Sequence, residues 1–317
     1  MSDAIEEKLE KIPIIAQLAD FSKKVILPGF EGLSLYDLLE TYALGIVKGT
    51  FSTRASSIAF SFFMAIFPAL LFLLNLVPYI PISNFQAQFL DFIEELLPPQ
   101  TSSFFEPILV DIAANPRGGL LSLVGVLAII LTANGVNAIF SGFEYSYHVE
   151  INRSVIRQYL VSIGVGIILV LLFLLTASVI IYIQYLMVSM EEQGYRTGQL
   201  VWLPVLRYVF FLVMTYCIIA TLYYFGTKES RQSRFFSLGA LMTTLLFILT
   251  TYLFGVYINN FSTYNELYGS IGALLILMIY IWINANLLLL GFELNATLRK
   301  LKSGLRSKSD IVNENTP

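Results

Sequence analysis

The chain has one histidine, His148, with Glu144, Glu150, Arg153 and Arg157 close by in sequence. Acids, an imidazole and two guanidinium groups are the parts of an acid–base or phosphodiester-cleaving site. The same five residues also read as a polar connector between membrane helices, with Arg153 and Arg157 setting orientation and facing lipid phosphates, and this reading is preferred. Metal-assisted hydrolysis needs several His or carboxylate ligands around an ion, and no H-x-H or D-x-H motif occurs. The single cysteine, Cys217, excludes a disulfide framework and a Cys-based cluster. Phosphate-binding Gly-rich loops and the GxSxG elbow are missing as well. No enzymatic activity, metal, cofactor or nucleic-acid partner is therefore expected.

The other candidates are polar residues inside apolar runs. A charge within hydrocarbon costs about 3 kcal/mol or more and normally faces a partner or a cavity. Arg207 is placed to snorkel toward an interface, to bind an anionic headgroup or to pair with an acid. Glu293 is placed either to pair with a base such as Arg299 or to carry a proton. Asn134 and Asn137 flank Gly135, and Asn284 and Asn286 follow later. Such asparagines tie helices together or mark an unwound point beside a cavity.

These residues sit on a frame set by charge spacing. No Asp, Glu, Lys or Arg occurs between Arg54 and Asp91, Arg117 and Glu144, Arg157 and Glu191, Arg234 and Glu266, or Glu266 and Glu293. A sixth stretch, 200–227, is broken only by Arg207. Each exceeds the ~20 residues that span ~30 Å of hydrocarbon as a helix. Lipid offers a bare peptide group no partner, so the segments must be helical. The composition, 56% hydrophobic and 13% charged, agrees. The fold expected is all-α, a polytopic membrane protein with helices at 55–79, 120–142, 159–186, 202–226, 235–258 and 270–296. Pro68 is expected to kink the first of them.

With both termini cytoplasmic, every Lys and Arg except Arg117, Arg196 and Arg207 falls on the inner side, a strong positive-inside asymmetry. The acidic start, MSDAIEEKLEKIP, is not expected to be a cleavable signal. Residues 1–54 form an inner region, 55–296 the membrane domain and 297–317 a basic tail. From Ser34, Leu35, Leu38, Leu39, Tyr42, Ile46 and Val47 recur at helical spacing, predicting an amphipathic helix on the inner surface or under the bundle. On the outer side, residues 81–118 predict a helical hairpin against the membrane surface. Phe85, Phe89, Phe92, Ile93 and Leu96 form its apolar stripe opposite Asp91, Glu94 and Glu95. Pro98 and Pro99 end that helix, and Ser103 with Glu106 caps the next.

Two segments carry a family resemblance. Arg54-Ala-Ser-Ser-Ile-Ala-Phe, leading into Ala65-Ile-Phe-Pro-Ala-Leu-Leu71, resembles the first helix of the YihY/BrkB family of bacterial inner-membrane proteins. Leu267-Tyr-Gly-Ser-Ile-Gly-Ala, with Trp282 and Leu290-Gly-Phe-Glu-Leu-Asn-Ala296, is similar to that family's last-helix signature. The resemblance spans about residues 30–300; Thr132–Asn137 departs from the Trp-containing pattern of many members. It implies six membrane helices in the inner membrane and little chemistry. Members have been called ribonuclease BN, linked to serum resistance, or proposed to move lipids.

The functional expectation is a transporter or translocator of a lipid or other anionic amphiphile, with Asn134, Asn137, Arg207 and Glu293 along its path. The alternative is a non-transporting envelope-integrity or assembly protein whose polar residues only hold helices together.

Overall fold

The computed structural model describes residues 51–76, 85–96, 121–146, 154–193, 202–228, 234–261 and 270–314, together with 22–26, 34–36 and positions 40, 107, 110, 111, 149 and 230. Seven helices make up the described chain: α1 (Phe51–Leu76), α2 (Phe85–Leu96), α3 (Leu121–Glu144), α4 (Val155–Glu192), α5 (Trp202–Gly226), α6 (Leu238–Phe261) and α7 (Ser270–Glu314). All but α2 are long and apolar enough to cross a membrane. The protein is an all-α integral membrane protein with six such helices.

Helix ends follow local chemistry rather than charge alone. Helix α1 starts ahead of Arg54, where the sequence predicts a boundary after it, because this guanidinium turns into the bundle and donates to the Gly142 carbonyl there. Helix α6 begins three residues later than expected, since Ser237 accepts the Ala240 amide at 3.3 Å, a hydroxyl N-cap. Helix α7 does not stop at 296 but continues through the basic tail to Glu314. At 38 and 45 residues, α4 and α7 reach ~57 and ~68 Å at 1.5 Å per residue, so both project beyond the hydrocarbon. Pro68 lies within α1 without ending it. The helix expected from Ser34 falls largely outside the described residues, as do Pro98, Pro99 and the Ser103–Glu106 cap. Ser34 itself bridges Ile26.

Each spanning helix packs on the next in chain order, and α7 returns to α1, closing a ring. Helix α3 also touches α5 and α7, so it leans toward the centre. Helices α1, α4 and α6 begin at one end of the bundle, here called the Arg54 end, while α3 and α5 finish there. The opposite end carries Arg207. Outward-facing Leu241, Leu245, Ile248 and Leu249 on α6 are exposed at i, i+4, i+7 and i+8, an apolar stripe suited to lipid.

Two large apolar cores fill the ring, with smaller clusters around Ile183 and Leu203 and around Phe254, Ile258 and Ile276. At the Arg54 end all six spanning helices contribute, around Phe140, Phe143, Tyr223 and Phe292. At the other end the filler is α2. Its Phe85, Phe89, Phe92 and Ile93 are no more than 4% exposed and pack on Leu73 and Leu74 of α1, Ala177, Ile180 and Ile181 of α4, and Leu277 of α7. The expected apolar stripe is present, but it is wedged into the bundle rather than laid on lipid. Aromatic partners explain this, since Phe173 of α4 meets Phe92 at 5.8 Å and Phe89 at 6.5 Å between ring centroids.

Candidate functional site

The segment Gly291–Ala296 of α7 organises the Arg54 end, one residue after another. Gly291 lies where α7 crosses α6. A Cβ there would collide with the Thr243 hydroxyl and come within 2.7 Å of the Gly239 carbonyl oxygen, and a Cβ on Gly239 would strike the Gly291 carbonyl. Only paired glycines permit so close an approach. Phe292 stacks on Phe143 of α3 at 4.1 Å and 6°, with Tyr223 of α5 edge-on to both. The Tyr223 hydroxyl donates to the Leu288 carbonyl at 2.7 Å and shares a 2.7 Å bond with Thr243.

Glu293 comes next, fully buried. Its Oε2 accepts from the Ser146 hydroxyl at 2.7 Å and lies 3.9 Å from Nη2 of Arg54. Arg54 donates through Nη1 to the Gly142 carbonyl at 2.7 Å, near the C-terminus of α3, where carbonyls lack intrahelical partners. The side chains of this pair are 5% and 0% exposed. Asn295 then clasps the start of α6: its Oδ1 accepts from the Gly239 amide and its Nδ2 donates to Ser237 Oγ, each at 2.9 Å. Arg299, one turn on, donates to Ser230 Oγ at 2.8 Å.

The second centre is at the far end. Arg207 of α5 pairs with Glu95 of α2 and donates to Gln184 Oε1 of α4 at 3.2 Å. The side chains are 26% and 56% exposed, so this pair lies at the outside of the bundle rather than in its core. It ties α2 to the two helices that flank it.

A family model described as Virulence factor BrkB matches residues 45–313. The chain belongs to the BrkB family. The ribonuclease-like protein YfkH of Bacillus subtilis (strain 168) is 31% identical over 79% of this chain and 90% of its own length. A UPF0761 membrane protein of Psychrobacter sp. (strain PRwf-1) is 24% identical over 80% of this chain but only 46% of its own length. A UPF0761 membrane protein of Vibrio cholerae serotype O1 is 26% identical over 66% and 68%. The chain thus spans less than half of the Psychrobacter relative. Among solved structures none gives a significant match.

In this BrkB-family chain the four residues read from the sequence as a path do not meet. Glu293 and Arg207 occupy opposite ends, each with its own partner. Asn134 is exposed and Asn137 half-buried on α3, which runs unbroken through both. Arg157 is exposed near the start of α4, and Arg153, His148 and Glu150 lie outside the described residues. Asn284 and Asn286 bond to carbonyls of their own helix, Tyr280 and Trp282, at 2.9 and 2.7 Å, so they are not ties between helices. Sequence reasoning passed over Arg54, Glu95, Gln184, Ser146 and Asn295 as site residues. Arg54 and Asn295 were within reach, since both stand in the two family-like segments.

Proposed function

We propose that this BrkB-family protein is a translocator of anionic amphiphiles in the bacterial inner membrane, with the Arg54 end cytoplasmic. One observation carries the reading. A short helix that does not span, α2, fills the Arg207 end of a six-helix ring, and an exposed ion pair fastens it. The Arg54 end is closed by stacked aromatic rings and a buried pair. A separate, non-spanning filler at one mouth and a seal built from the spanning helices themselves at the other are the parts of a gated passage. The lysine and arginine distribution supports the orientation.

An enzymatic role is not part of this reading. The ribonuclease-like name of the Bacillus relative would carry over only with a hydrolytic centre. Among the described residues no group of three His, Cys, Asp or Glu is placed to hold a metal ion, and Glu144 is buried.

The test is reconstitution into phosphatidylcholine vesicles containing a trace of headgroup-labelled phosphatidylglycerol. The protein should accelerate exchange of the label between leaflets, read by a membrane-impermeant quencher. Exchange no faster than in empty vesicles would retire the translocator reading. Reproducible crosslinking to a single envelope protein would then favour an assembly role.

A further inference from the structure

Glu95 and the apolar stripe of α2 make one amphiphile. A carboxylate stands at one end of a strip of Phe85, Phe89 and Phe92, and the strip runs ~10 Å at 1.5 Å per residue. The strip lies in a cleft whose other walls are apolar: Leu73 and Leu74, Phe173, Ala177, Ile180 and Ile181, and Leu277. The carboxylate meets Arg207 and lies beside Gln184, the described polar groups at the mouth of that cleft. An exposed Arg–carboxylate pair contributes little net stability, so exchanging Glu95 for another anion on Arg207 costs little, and the apolar cost of moving α2 is offset when an acyl chain fills the same cleft. Both halves of α2's attachment have the chemistry of the ligand class assigned above.

We infer that α2 occupies an amphiphile-binding site as an internal stand-in, and that an anionic amphiphile binds by displacing it. The headgroup takes the place of Glu95 on Arg207 and Gln184, while an acyl chain takes the cleft vacated by Phe85, Phe89 and Phe92. This rests on the translocator reading for its ligand class but concerns binding alone, so the two fail separately.

Trp202, exposed on α5 one turn and a half before Arg207, serves as a reporter once Trp282 is replaced by Phe. In phosphatidylcholine nanodiscs, energy transfer from Trp202 to dansyl-phosphatidylglycerol is compared with transfer to dansyl-phosphatidylcholine. Removing the stand-in charge, Glu95→Gln, should lower the half-saturating mole fraction of the anionic probe at least threefold. Arg207→Gln should erase the preference for the anionic over the zwitterionic probe, and Arg207→Lys should restore it. Decyl phosphate should compete and inorganic phosphate should not, which separates an amphiphile site from a simple anion site.

A second variant controls for folding. Phe92→Cys with Phe173→Cys, in a Cys217→Ser background, lets a short thiol-specific crosslinker pin α2 to α4. Binding should be lost on crosslinking and regained when a reductant cleaves the link. Unchanged or weaker binding in Glu95→Gln, a persisting anionic preference in Arg207→Gln, competition by inorganic phosphate, or full binding in the pinned protein would each overturn the inference. Intact binding without leaflet exchange would retire the translocator reading and leave the site standing.

Discussion

The two ends of the bundle each contain an arginine paired with a glutamate, and the resemblance stops there. Arg54 and Glu293 are 5% and 0% exposed and make further bonds to Gly142 of α3 and to Ser146 just past its end. Arg207 and Glu95 are 26% and 56% exposed. A buried ion pair adds little net stability, but losing one member leaves a charge stranded, at about 3–5 kcal/mol. An exposed pair gives up about 0–1 kcal/mol when broken in water. The first therefore acts as a lock that cannot be half-opened, and the second as a clasp that exchanges partners readily.

The largest break in that comparison should come from Glu293→Ala, which strands Arg54 in the core. The expected loss is about 3–5 kcal/mol, seen as a fall in the thermal midpoint in detergent. Pairing it with Arg54→Leu should recover part of the loss, and a double variant no better than the single would count against the lock. Next is Gly291→Val, which forces atoms onto Thr243 and the Gly239 carbonyl; overpacking of this kind costs about 1–3 kcal/mol. Asn295→Ala should cost about 1 kcal/mol, the usual loss for a cap, and should speed hydrogen exchange at the Gly239 amide. The smallest effect belongs to Arg207→Gln, about 1 kcal/mol or less. Its difference from the native protein should shrink further in high salt, where exposed charges are screened. A midpoint drop in Arg207→Gln as large as that in Glu293→Ala would erase the distinction between the ends.

The spans were legible because hydrocarbon tolerates so few charges that charge-free runs stand out. The same rule misled at Arg54. A charge read as the edge of the membrane is inside α1, since its compensating carboxylate comes from the opposite end of the chain, a pairing that linear spacing does not reveal. Asparagines posed a similar difficulty. Those in the middle of apolar runs drew attention, yet Asn284 and Asn286 turn back on their own helix, while Asn295, in mid-α7 where the apolar run gives way to the basic segment, makes the tie to α6. Pattern located α2 and its buried face, but periodicity gives a face without its partner, so wedge and surface helix looked alike. The stacking of Phe292 on Phe143 and the Gly239–Gly291 contact depend on how two helices cross, which no single segment encodes.

The crossing of α6 over α7 at these glycines sits near one extremity of α6, so the pair resembles a pair of shears pivoted close to the handle. Backbones in contact there resist translation, and farther along α6 Phe254 and Ile258 pack on Ile276 and Tyr280 of α7. Tilting α6 by ~5° about that pivot would swing its Phe261 end by ~3 Å, given 1.5 Å of length per residue. Any tilt at the sealed face would therefore register first at the opposite rim, as a parting of Phe254 and Ile258 from Ile276.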